Sequence, residues 1–187
     1  MMASPRCLAL LAVWLTCGAC ASDRDAAAWH DRARQLLDAA GSGDLRALPT
    51  PTLSSAIFCE EQALAMDGSL VAVTRSLGAL YTAQGSFERA TVQFRTLVQQ
   101  RPDDPRAYAG LGRALAAQGR FSGAMRAFQD ALRRDPERGL RLEVYNRLGH
   151  TYQALGHQEP HLRSAEATYR ASLRMDPQQA DILLQLG

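Results

Sequence analysis

The sequence predicts an all-α solenoid built from antiparallel helix pairs, and three observations carry that prediction. Leu77, Gly78, Gly85, Phe87, Ala90, Phe94 and Pro102 recur 34 residues on as Leu111, Gly112, Gly119, Phe121, Ala124, Phe128 and Pro136; a period of that length marks a helix-turn-helix unit that stacks on its own copies. Glycine and proline stand where such a unit turns: Gly85 and Gly119 where a left-handed C-cap is wanted, Pro102 and Pro136 where a helix must stop. Gly78 and Gly112 lie inside helices at a cost of about 1 kcal/mol against Ala, which the close approach of another helix explains. Ala90 and Ala124 are expected to fill the facing positions.

In chain order, Arg6 precedes the apolar run from Cys7 to Thr16, too short to span a bilayer comfortably and of the proportions of a secretory leader; residues 1–21 are assigned to it. Residues 22–70 read as a degenerate first repeat or an N-terminal cap. An Ala-rich helix from about Asp23 to Ala40, with Trp29, Leu36 and Leu37, leads through a loop over Leu45 to Thr52, holding Pro49 and Pro51, to a second helix from Leu53 to Asp67. Ala56, Ala63 and Gly68 take the places of small residues and closing proline there, and Glu60 stands where an aromatic is expected.

Residues 71–104 and 105–138 form two full repeats. Residues 139–179 form a third, with Tyr145, Leu148, Gly149, Tyr152 and Gly156 in its first helix and Ala165, Tyr169, Ser172 and Pro177 in its second. Three extra residues around Gly139 to Arg141 and four near His157 to His161 are read as turn insertions, which leave the packing faces intact. Residues 180–187, with Ile182, Leu183, Leu184 and Leu186, make a partial repeat or a capping helix.

Between Ala72 and Arg138 the residues resemble the tetratricopeptide repeat (TPR) family: Thr74, Leu77, Gly78 and Tyr81, then Tyr108, Leu111, Gly112 and Leu115, occupy the pattern of a first helix. Ala90, Phe94 and Pro102, then Ala124, Phe128 and Pro136, occupy that of a second. The resemblance implies a right-handed superhelical solenoid whose first helices line a concave face. A second resemblance lies in Cys17-Gly-Ala-Cys20-Ala-Ser, which is similar to a bacterial lipobox with Cys17 where Leu is usual. It implies lipidation at Cys20, and Ala21 and Ser22 in place of Asp after the anchor imply the outer membrane. Cleavage after Ala21, yielding a soluble periplasmic or extracellular protein, is the alternative.

Composition narrows the chemistry. The net charge of +2 makes no electrostatic case for nucleic acid. All 21 basic Lys or Arg side chains are Arg, so no lysine can form a Schiff base or serve a phosphate loop. Cys59 is the one cysteine beyond the leader region and reads as a small buried apolar side chain. No catalytic set emerges. His157, Glu159 and His161 have a metal-ligand spacing, but Pro160 argues against a regular helix there, and neither metal nor cofactor is expected. Glu60, Glu61, Asp103 and Asp104 read as solvated, and the aromatics from Tyr81 to Tyr169 as core.

The family register places Ala72, Arg75, Ala79 and Thr82, then Arg106, Ala109, Arg113 and Ala116, then Glu143, Asn146, His150 and Gln153, on the concave face, with Arg147 beside them. Arginine's planar fork suits carboxylates. The expected binding groove is therefore Arg75, Arg106, Arg113, Asn146, Arg147 and His150, and the expected ligand a polypeptide segment of some acidic character. The family's carboxylate clamp for chaperone C-termini is incomplete, with Ala79 where Asn belongs and Gly110 at another clamp position. The function expected is a non-enzymatic protein-interaction scaffold, membrane-anchored, assisting assembly of an envelope complex such as a pilus or secretion system. A soluble secreted or periplasmic peptide-binding module is the alternative.

Overall fold

A computed structural model describes residues 25–40, 44–155 and 159–178. The leader, Cys20, His157 and residues 180–187 lie outside them. Among the described residues there are eight α-helices and no strand: α1 (Ala26–Ala39), α2 (Thr50–Met66), α3 (Val71–Gln84), α4 (Phe87–Gln100), α5 (Pro105–Ala117), α6 (Phe121–Arg133), α7 (Arg138–Ala154) and α8 (Glu159–Met175). They fall into two compact units that divide after Ser86, at the turn between α3 and α4.

In the first unit α1 packs on α2 and α2 on α3. Asp25 caps α1 by accepting from the Ala27 N–H at 3.0 Å. Ala33, Ala56 and Ala63 are wholly buried, small side chains that let two helices close. The stretch expected to be a loop is shorter: a 3-10 turn at Leu45–Ala47 leads straight into α2, whose start at Thr50 puts Pro51 in the first turn, where its missing N–H has no intrahelical partner to lose. After α2, the Asp67 carboxylate accepts from the Ser69 hydroxyl at 2.6 Å and its N–H at 2.9 Å, and these donors hold it below the usual carboxylate range.

Two carboxylates expected in solvent are in fact engaged. Glu60 is 0% exposed, its carboxylate 2.9 Å from His30 Nδ1 of α1, and Glu61 accepts from the Tyr81 hydroxyl at 2.5 Å. The position read as a missing aromatic is thus a buried polar link between α1 and α2, since a carboxylate inside a protein must be hydrogen-bonded.

In the second unit each helix from α4 to α8 packs on the next. Gly85 and Gly119 have φ of 85° and 73°, the left-handed turn expected of them. At Gly112 a ring, and not the alanine expected, is the nearest neighbour. A Cβ on Gly112 would stand 2.6 Å from the Phe128 ring, one on Gly149 2.3 Å from Tyr169, and one on Gly110 2.3 Å from Phe94. The rings face the glycines, while Ala124 is buried in the same core cluster. A ring laid on a bare backbone brings two helices closer than any side chain would allow.

The insertions of the third repeat are corrected too. Gly139 to Arg141 lie inside α7, and α8 already begins at Glu159; these helices run 17 residues each against 13 each for α5 and α6. The extra residues lengthen helices more than turns. Pro160 sits in the first turn of α8, which is where a helix tolerates proline, so His161 is helical.

Candidate functional site

The second unit holds five of the six predicted groove residues: Arg106 and Arg113 on α5, and Asn146, Arg147 and His150 on α7. Arg75 lies exposed on α3 of the first unit. Helices α5 and α7 also touch one another directly, so their side chains form one surface.

Charge on that surface is organised around Glu143. One oxygen, Oε1, accepts from Arg113 Nη1 at 3.2 Å and from Arg147 Nε at 3.4 Å. Two guanidinium groups on one carboxylate leave one positive charge over. Arg113 also has a buried Nε without a hydrogen-bond partner, held about one-third exposed with Glu143 and Arg147 slightly more so. Burial strengthens its field relative to a fully solvated arginine. Arg106 pairs with Glu137, both more than half exposed, a contact of a kind that contributes about 0–1 kcal/mol.

These pairings were not foreseen. Arg106 and Arg113 were expected to offer open forks, and each already meets a carboxylate 31 or 30 residues downstream. The signal is a recurrence: in each case an arginine of α5 meets an acid on α7 or at its N-cap, at a spacing just short of the repeat, which is visible only once the register of two stacked first helices is known.

Asn146 and His150 are tied to α8. Asn146 Oδ1 accepts from the wholly buried Ser172 hydroxyl. The Tyr169 hydroxyl donates to Gln153 Oε1 at 2.9 Å and lies 3.0 Å from His150 Nδ1. Burial pushes the Tyr169 phenol up to about 12, consistent with a hydroxyl that stays protonated. Ala109, expected on the groove floor, is buried at 3% in the core and is removed from the site.

The face thus presents a surplus cation on α5 and α7, then the exposed imidazole of His150 further along α7. Such a row can hold a partner's acidic group. Among the described residues no group of three or more His, Cys, Asp or Glu could hold a metal ion.

Comparison with known proteins follows the same lines. Profiles described as Tetratricopeptide repeat match residues 81–145 and 142–179. Cellulose synthase 2 operon protein C of Komagataeibacter xylinus is 37% identical over 116 residues, 62% of this chain but 9% of that protein's length. MamA 41-end from Desulfovibrio magneticus RS-1 superposes with a TM-score of 0.68 at 15% identity, over 96% of this chain and 99% of that one. The pilF protein of Pseudomonas aeruginosa superposes at 0.66 and 16%, over 86% and 65%. At these identities the two structures are similar in fold.

Proposed function

This chain belongs to the tetratricopeptide repeat family, whose members are in general protein-interaction scaffolds and not catalysts, and from that premise we propose what it holds and where. The second unit captures a polypeptide segment of acidic character on the α5 and α7 face. The whole chain, lipidated at Cys20 and carried by that anchor on the periplasmic side of an outer membrane, assembles an envelope complex such as a pilus or secretion system. The observation that carries the first part is the surplus cation at Glu143, where Arg113 and Arg147 share one carboxylate. The Cys17-Gly-Ala-Cys20 leader supports the second. The similarity to a cellulose synthase operon protein over 62% of this chain supports the scaffold reading.

Two experiments test these parts separately. Replacing Arg113 and Arg147 together by Ala should reduce crosslinked capture of the envelope partner severalfold while helical circular dichroism is unchanged; undiminished capture removes the groove reading. Metabolic labelling with a fatty-acid analogue should mark the wild type and not Cys20→Ala. Absence of label on both favours the soluble periplasmic alternative, in which Ala19 and Ala21 direct ordinary cleavage.

A further inference from the structure

Helix α2 differs from every other described helix in one respect: none of its exposed residues is charged. Thr50, Pro51, Ser54, Phe58, Ala65 and Met66 make up that face, whereas each of the other seven exposes at least one Arg, Asp or Glu. The two charges that α2 does carry are turned to other work, Glu60 buried against His30 and Glu61 held by Tyr81. The face is also apolar where it matters, with Phe58 40% and Met66 45% exposed. Phe58 meets Trp29 of α1 edge to face at 6.1 Å, so the two rings form one half-buried aromatic pair.

The position of this face in the chain points to its occupant. The short connection from Ala39 to Thr50 turns α2 back along α1, and His30, nine residues before the end of α1, stands beside Glu60, ten residues after the start of α2, so Met66 lies toward the start of α1. Four residues separate Cys20 from Asp25, a tether of about 17 Å at full extension. An acyl chain on Cys20 therefore keeps the start of α1 at the bilayer surface. A helix that presents Phe, Met and Ala among small hydroxyl side chains can rest there, since aromatic rings favour the headgroup level and the half-buried Glu61 among them already holds the Tyr81 hydroxyl.

We propose that the outer face of α2, with Trp29, is a lipid-contacting surface that lays the first unit against the membrane. The inference rests on the anchor reading above. One acyl tether holds a domain near a bilayer without orienting it; a second, weaker apolar contact supplies the orientation.

The chain has two tryptophans, Trp14 in the leader and Trp29, so the processed protein reports from Trp29 alone. The mature acylated protein, its intact mass checked for the acyl groups, is reconstituted in phosphatidylethanolamine and phosphatidylglycerol vesicles with and without brominated acyl chains. Trp29 emission should be blue-shifted and quenched by the brominated lipid. Ser54→Glu with Ala65→Glu, both at exposed positions, should lose most of that quenching while the protein still floats with the vesicles and keeps its circular dichroism; Phe58→Ala should lose part of it. An acylated protein whose Trp29 emission ignores bromine overturns this inference and leaves the anchor standing. A mature chain without acyl mass overturns both.

Discussion

Three glycines show how a single atom sets the distance between helices. Gly149→Ala would drive a methyl to 2.3 Å from the Tyr169 ring, and the ring has nowhere to go because it is 1% exposed. The gain in helix propensity of about 1 kcal/mol is outweighed by overpacking of about 1–3 kcal/mol, so urea unfolding should show a net loss, and Gly110→Ala should behave alike against Phe94. Tyr169 supplies a pH dependence of definite sign. Its folded-state value, raised to about 12 by burial from an ordinary value of 10.0, means that its contribution is complete below about pH 10. That contribution is lost as pH climbs toward 12, on the order of 2 kcal/mol in all. Tyr169→Phe should flatten this alkaline limb of stability against pH. At Glu60, removal of its partner by His30→Ala strands a carboxylate that is 0% exposed; a loss of about 2–3 kcal/mol is expected, with Glu60→Gln in the same background recovering part of it.

At the level of elements, the close of α6 depends on one side chain. Arg134 lies 3.7 Å over the Tyr108 ring, donates to the Tyr108 hydroxyl at 2.7 Å, and reaches the carbonyls of Asp130 and Pro102. It thereby ties the end of α6 to α5 and to the turn before it. Arg134→Ala should cost about 1–2 kcal/mol in chemical unfolding, and Arg134→Lys should not restore it, because an ammonium cannot stack flat and fork at once. The third repeat makes a related point about reading insertions. Three residues out of register look like loop in a sequence, yet Gly139 to Arg141 continue a helix, because adding a turn to an exposed helix end leaves every buried contact in place.

Across the whole molecule, charge is divided unequally. Residues 1–86 carry six arginines against eight carboxylates, and residues 87–187 fifteen against eleven, so the chain's overall +2 is the balance of an acidic first unit and a basic second. Partner capture by the second unit should therefore weaken as salt is raised across the range where the Debye length falls from about 10 Å to 3 Å, with the Arg113→Ala, Arg147→Ala variant showing a shallower dependence in the same pull-down. The net figure alone would have hidden this, since opposite surpluses cancel in a sum.

Helix identity, the order of the pairs and the left-handed turns at Gly85 and Gly119 were legible because they depend on neighbours in sequence: a glycine that relieves a turn, a proline that ends a helix, apolar residues that recur with the helical period. The grouping of Arg106, Arg113, Asn146, Arg147 and His150 on first helices was legible for the same reason. What those residues touch was not. That Glu143 draws Arg113 as well as its helical neighbour Arg147, that Glu60 is buried against His30, and that rings lie nearest Gly110, Gly112 and Gly149 depend on contacts between residues some 16 to 30 positions apart. Local chemistry determined the elements and their period; only the packing of one helix upon another decided which side chains remain to meet a partner.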